Sequence, residues 1–241
     1  VIAYIPAMRL RVIDLETTGG DRTSEIIEVG IVDVVQDGEG WSARPPVSKL
    51  FRPRGEISFH AMAVHHLTPE HFGEADPHCD EYALRAMFAD LGSADVMVAH
   101  AARFERSFIA DSAHGGLPWL CTVRSSKQAW PQAPGHSNQV LRYWRGFRLD
   151  PALADPAHRA GPDAWVTAHI LMDLLKDHSV EQMLEWTRAP REMATVPFGK
   201  HRRKRWEDVP VDYLQWMAAQ TDMDVDAVTA ARAELDRRKA C

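Results

Sequence analysis

Leu10-Arg11-Val12-Ile13-Asp14-Leu15-Glu16-Thr17-Thr18-Gly19 is the stretch on which the fold turns. Its first half is an apolar run of strand length, and the run stops at the turn signal Gly19-Gly20-Asp21. Such a run reads as a buried strand. Alternate strand residues share a face, so Asp14 and Glu16 point the same way at the strand end. Paired carboxylates there can hold a hard divalent cation through oxygen ligands. Burying two like charges together without a metal or a partner would be costly.

Outward from this strand, Ile26 to Val35 forms a second strand closed by Asp37-Gly38, and a third is expected near Ser48 to Arg52, ended by Pro53. Strands separated by short turns form an antiparallel meander. Helical periodicity follows. Helices are expected over Ser58–Leu67, Asp80–Leu91, Ala102–Ala110, Ser137–Phe147 and Asp163–Leu175, with Thr68-Pro69-Glu70 as a cap and proline start. Val96–Ala99 and Trp119–Thr122 read as short buried strands among them. Together these predict an α/β domain with a mixed sheet. The expected division is a domain over 1–180, a linker over 181–197, and a small basic module over 198–241 whose two helices join near Thr221-Asp222.

Composition narrows the class. The 241 residues are 45% hydrophobic and 26% charged, ordinary for a globular protein. A formal net charge of -6 excludes a uniformly basic coat for nucleic acid and leaves room for a local basic patch. The 3 cysteines, Cys79, Cys121 and Cys241, form no zinc-like cluster, and this usage suits a reducing cytoplasm. No stretch approaches the roughly 20 apolar residues of a membrane span. Val1 to Leu10, with Pro6 inside it, does not read as a signal peptide.

Two further segments carry candidate chemistry. Val98 to Phe108 delivers a strand into a helix bearing Glu105. His158-Arg159-Ala160-Gly161-Pro162-Asp163-Ala164 sets Asp163 near a helix start, where a carboxylate is electrostatically comfortable, with His158 just before it. Histidine is the common general base near neutral pH.

Taken together, the three segments resemble the motifs of the DEDDh exonucleases. The first motif is Asp14-Leu15-Glu16-Thr17-Thr18-Gly19, the second His100 to Glu105, the third His158 to Ala164. The order and spacing agree from about Leu10 to Leu175. Ser58 to Thr68, Trp119 to Thr122 and the tail Phe198-Gly199-Lys200 are similar to a bacterial DNA-degrading branch of that superfamily. The chain departs from the pattern at Ala101, where asparagine is usual, at Glu105, where aspartate is usual, at Gly20 and at Arg203, where the tail usually has glycine.

The resemblance implies a ribonuclease H-like fold and 3′→5′ removal of nucleotides with two Mg²⁺ or Mn²⁺ ions. Asp14, Glu16 and Asp163 are implied as metal ligands, Glu105 as the residue completing the cage through a water, and His158 as the general base. It further implies that Thr17, Thr18, Gly19, Phe59, His60, Met62, His65 and Phe104 meet the terminal nucleotide. The basic tract Lys200, Arg202, Arg203, Lys204 and Arg205, interleaved with Trp206 and Tyr213, is expected to track phosphates. DNA 3′ ends are the expected partner. An exoribonuclease on the same scaffold and a weakened nucleic-acid-binding module are the alternatives, and monomer and homodimer are both left open.

Overall fold

In β1 (Arg9–Thr17), Leu10 and Val12 face one side of the sheet while Ile13 and Leu15 face the other. The computed structural model describes residues 8–239 apart from 22, 39, 94, 191, 192, 221 and 222. Its chain divides into two units, Val1–Thr187 and Arg188–Cys241.

In the first unit β1 is a central strand, covered on both faces. It pairs antiparallel with β2 (Ile26–Asp37) on one side and parallel with β5 (Val96–Ala99) on the other, and β6 (Trp119–Cys121) extends the sheet beyond β5. The long β2 carries two short antiparallel partners, β3 (Gly40–Ala43) on its second half and β4 (Val47–Leu50) on its first. The third strand expected over 48–53 corresponds to β4, and β3 is an additional strand ahead of it. Pro45 and Pro46 lie between them and cannot donate to a ladder. β4 ends at Leu50, although Phe51 N–H still donates to the Ile27 carbonyl at 2.9 Å.

One face of the sheet, lined by Leu10, Val12, Val32, Val34, Val96, Val98 and Leu120, packs on α7 (Ala160–Leu174). The other face packs on α2 (Glu81–Phe88) through Leu84 and Phe88. Caps behave as the residues suggest: Ser58 Oγ accepts from Ala61 N–H before α1 (Phe59–His65), and Asp80 does the same for Ala83 N–H before α2. Thr68-Pro69 opens a single 3₁₀ turn, and the helix expected over 102–110 is reduced to α3 (Glu105–Phe108). The other helices are α4 (Thr122–Ala129), α5 (Asn138–Trp144), α6 (Pro151–Ala154) and α8 (Val180–Arg188); α4, α5 and α6 contact α7, and Leu141, Ala154, Val180 and Met183 join the core on its side of the sheet.

The span expected as a linker, 181–197, contributes side chains to both units. Val180 and Met183 of α8 enter the first core, and Val196 belongs to the core of the second unit. That second core joins Trp206, Val209, Leu214 and Met217 to Ala227 and Ala231, packing α9 (Val211–Ala218) on α10 (Val225–Lys239). The joint expected at Thr221-Asp222 lies outside the described residues. No helix among the described residues is long and apolar enough to cross a membrane.

Candidate active site

The strand register puts the chemistry on the α7 face. Asp14 pairs with Gly30 and Glu16 with Glu28 across β1 and β2, in line with Leu10–Val34 and Val12–Val32 of the core. At Gly30 the first turn of α7 lies directly on the strand: a Cβ there would fall 2.0 Å from the Ala160 carbonyl oxygen. This close approach brings Asp163, in the first turn of α7, down to the strand end. Asp14, Glu16 and Asp163 each offer a carboxylate oxygen within 4.8 Å of the others.

The cluster is electrostatically unfavourable by itself. Burial, followed by the charges of Asp163, Glu105, Glu16 and Glu28, pushes the Asp14 carboxyl well above the ordinary range. Burial and the neighbouring Asp163 and Glu28 push Glu16 up to about 8, against the pull of Arg159. Asp163 is raised by burial in spite of its hydrogen bonds.

Asp163 is held in place from three directions. The His158 backbone N–H donates to Oδ2 at 2.7 Å, Gln139 Nε2 donates to Oδ1 at 3.2 Å, and Asn138 Nδ2 donates to the backbone carbonyl at 3.0 Å. Asn138 is itself fixed by the Thr167 hydroxyl at 3.2 Å. His158 takes the left-handed conformation (φ 59°) and its side chain is exposed beside the carboxylates.

Glu28 and Arg159, outside the expected site residues, also meet here. Glu28, almost fully buried, accepts Arg159 Nε and Nη2, both at 2.9 Å, and the Ala160 N–H at 3.1 Å. This two-point pair places a guanidinium beside the carboxylates. The signal was present, since Arg159 follows His158 directly and Glu28 opens the polar gap in β2, but their partnership depends on register and docking.

Glu105 is buried 3% exposed, its Oε2 has no hydrogen-bond partner, and burial pushes its carboxyl up to about 7. It stands outside the tight trio, near enough for its charge to act on Asp14. An unpartnered buried carboxylate oxygen beside three crowded carboxylates fits a divalent cation, whose charge would relieve all of them. His100, which opens the second motif, serves the scaffold. Its Nε2–H donates to the His136 carbonyl at 2.9 Å and its Nδ1 accepts from the Thr122 hydroxyl at 2.8 Å. Burial pushes it down to about 4, so the ring is neutral.

The expected nucleotide contacts divide. Phe59 is 84% exposed and His60 is exposed, whereas Met62 is half-buried against Ile27, Ile57 and Leu67. His65 is buried, a correction to the expectation that it meets substrate: Leu67 N–H donates to its Nδ1 at 2.9 Å, and Nε2 donates to the Thr17 carbonyl at 3.2 Å. It ties α1 to the end of β1. Thr17, Thr18 and Gly19 also build the loop. Thr17 Oγ1 donates to the Gly19 carbonyl at 2.6 Å, Thr18 Oγ1 accepts from Glu25 N–H at 2.9 Å, and a Cβ on Gly19 would lie 2.8 Å from Ser24 Oγ. Phe104 is half-buried, its ring 5.0 Å from that of Phe108. In the second unit Lys200, Arg202, Arg203 and Lys204 are exposed, while Arg205 is engaged by Glu207 at 3.0 Å and Asp208 at 3.7 Å.

A mixed sheet with carboxylates gathered at the end of its central strand, capped by the first turn of a crossing helix, is the architecture of a ribonuclease H-like nuclease. Residues 12–171 match the family model described as exonuclease (RNase_T), and the chain belongs to that family, as a 3′→5′ exonuclease of the DEDDh class. It is 32% identical over 215 residues to exodeoxyribonuclease 10 of Escherichia coli K12, an alignment covering 86% of this chain and 90% of that protein. Among solved structures it is similar to exonuclease X in complex with a 5′ overhanging duplex DNA, with TM-score 0.61, 30% identity, and coverage of 74% of this chain and 99% of the other. E. coli exonuclease I in complex with a dA16 oligonucleotide shares the fold at TM-score 0.54 and 15% identity, over 73% of this chain and 42% of that one. Enzymes of this family use divalent metal ions, and the carboxylate cluster for them is present here.

Proposed function

We propose that this protein releases nucleoside 5′-monophosphates from DNA 3′ ends, as a repair nuclease of the reducing cytoplasm. The observation carrying the reading is the convergence of Asp14, Glu16 and Asp163 within 4.8 Å. The choice of DNA is supported by the similarity to exodeoxyribonuclease 10 and to a structure bound to duplex DNA with an overhang.

Asp14, Glu16 and Asp163 would hold two Mg²⁺ or Mn²⁺ ions, with Glu105 reaching them through a water. When bound, the ions supply Lewis-acid activation of the attacking water and charge stabilisation for the leaving 3′ oxygen. His158 accepts the proton of that water as general base. Its left-handed backbone serves two ends at once, giving its N–H to Asp163 and leaving the imidazole free at the rim. Phe59 offers a face on which a terminal base of any identity stacks.

The test is a time course on 5′-labelled single-stranded DNA and RNA with Mg²⁺, with Mn²⁺ and with EDTA. The expected result is a shortening ladder on DNA that EDTA abolishes and that Asp14→Ala and Asp163→Ala both lose. No ladder with either metal, or an active Asp163→Ala protein, rejects the reading. A ladder on RNA alone reassigns the substrate.

A further inference from the structure

The second unit carries a surface that the catalytic reading leaves unused. Residues 195–205 fold back as a tight loop: Val196 N–H donates to the Lys204 carbonyl at 2.9 Å, Arg203 N–H returns to the Val196 carbonyl at 2.8 Å, and Thr195 bridges Arg205. Turns at Gly199–Arg202 and His201–Lys204 shape its tip, with N–H to carbonyl distances of 3.1 Å in both. The loop cannot be displaced easily from α9. A Cβ on Gly199 would meet the Tyr213 hydroxyl at 2.5 Å, and the buried His201 ring packs edge-on against Tyr213 at 4.6 Å. Tyr213 in turn lies 5.2 Å from Trp216, which is 50% exposed.

Charges on this unit fall into two groups. Arg205 is neutralised by Glu207 and Asp208; Arg237 and Arg238 are paired with Glu234; Arg232 is bonded to the Ala218 carbonyl. Lys200, Arg202, Arg203 and Lys204 form no ion pair among the described residues, and all four side chains are exposed. Arg203 keeps its long cationic side chain at a left-handed position (φ 69°) where glycine would be relaxed. Asp212, next to Tyr213 on α9, lies close enough to the loop for its charge to act on His201. Four unpaired cations on a loop packed against Tyr213, whose ring neighbours the half-exposed indole of Trp216, match the pairing of phosphate contacts with a base-stacking platform that defines sequence-independent single-strand binding.

We propose that this loop and Trp216 form a second binding site, separate from the carboxylate site, for single-stranded nucleic acid: the loop cations contact phosphates and Trp216 stacks on a base. The inference rests on the reading that nucleic acid is the substrate. Charge alone would suit a lipid surface or an acidic protein equally; the aromatic neighbour favours nucleic acid.

The experiment uses the full chain in EDTA, so that nothing is cut, and follows anisotropy of a labelled oligodeoxynucleotide of about a dozen bases across a salt series. Replacing Arg202→Gln, Arg203→Gly and Lys204→Gln together should flatten the slope of log affinity against log salt by up to about 2, from about 0.7 per lost phosphate contact. Trp216→Ala should weaken the oligonucleotide about fivefold or more and leave inorganic polyphosphate, which has no bases, unchanged; Trp216→Phe should keep most of the affinity. Circular dichroism melting confirms that each variant is folded. Should the triple variant not fold, Lys204→Gln alone carries the test with an expected slope change of about 0.7.

Equal slopes for variant and wild type overturn the proposal. So does an equal loss of polyphosphate on Trp216→Ala, which would mark a general polyanion surface, or loss of binding to phosphatidylserine vesicles with the oligonucleotide slope intact. Hydrolysis of a small nucleotide ester with Mn²⁺ separates this inference from the one above. Turnover with unchanged slopes rejects only the second site, and no turnover by wild type rejects only the catalytic reading.

Discussion

Arg159 grips Glu28 at two points, Nε to Oε2 and Nη2 to Oε1, both at 2.9 Å. Glu28 sits opposite Glu16 in the strand register, so the guanidinium is the cation built into a neighbourhood of carboxylates. The Arg159→Ala chain leaves Glu28 buried without its partner, and breaking a buried pair in this way costs about 3–5 kcal/mol. Because Arg159 is the part-exposed member, the lower end is expected. Arg159→Lys should recover charge without the two-point geometry and fall between Ala and wild type. Urea unfolding measures the stabilities; a variant as stable as wild type would reduce the pair to a surface contact.

Gly30 is the position where helix and strand touch most closely. Gly30→Ala must move the first turn of α7 away from β2, because backbone atoms of Ala160 occupy the site of the new methyl group. Overpacking of this kind typically costs about 1–3 kcal/mol. Asp163 moves with the turn, so Mn²⁺ affinity measured by calorimetry should fall as well. Gly20→Ala, whose Cβ meets open space, is the control and should change neither quantity.

His158→Asn tests the general base without disturbing the backbone, since asparagine tolerates the left-handed conformation. Turnover should drop by about 10²–10⁴, the usual contribution of a positioned base. Mn²⁺ affinity should be retained, because the N–H that orients Asp163 is kept. A variant with wild-type turnover and an unchanged pH–rate profile would assign the proton to another acceptor.

Metal-free protein should lose stability as pH rises. Glu16 is raised to about 8 and Glu105 to about 7, with Asp14 and Asp163 raised in the same direction. The folded state therefore holds protons that the unfolded state has released above the ordinary carboxylate range of about 4. Stability from these groups is present in full below that range and is lost as pH climbs through the raised values. In EDTA the melting temperature should fall between about pH 6.5 and pH 8, above the range in which histidines buried neutral, such as His100, add stability with rising pH. Saturating Mn²⁺ should recover it most at pH 8, where the ligands are ionised. A metal-free melting temperature that rises over this window would contradict the crowding of the four carboxylates.

Much of this architecture is written locally. Apolar runs define β1 and β2, Ser58 and Asp80 mark helix starts through side chains that do cap, and the three motifs appear in order. What escaped has weak local signal. The helix Thr122–Ala129 is largely polar and buries Ser125 and Ser126, so no apolar stripe announces it. Gly161-Pro162 delays the reading of α7, although proline is well suited to a helix's first turn. Met183 and Leu184 continue the helical spacing that Val180 opens in α8, inside the span expected as a linker from 181. The site shows the same divide. Its carboxylates are legible as motifs, whereas the Glu28–Arg159 pair, the inward turn of His65 and the offset of Glu105 follow from register and packing between distant segments.

The closeness of Asp14 and Asp163 has a temporal consequence. The chain is made from its amino end, so the first motif emerges early and the third only when most of the unit already exists. Contacts between distant segments also form late in folding, after the long intervening loop has closed. Until α7 settles on Gly30, Asp14 and Glu16 lack their third carboxylate. A nascent or truncated polypeptide that ends before α7 thus holds two of the three carboxylates, and the proposed metal site is complete only with the finished core.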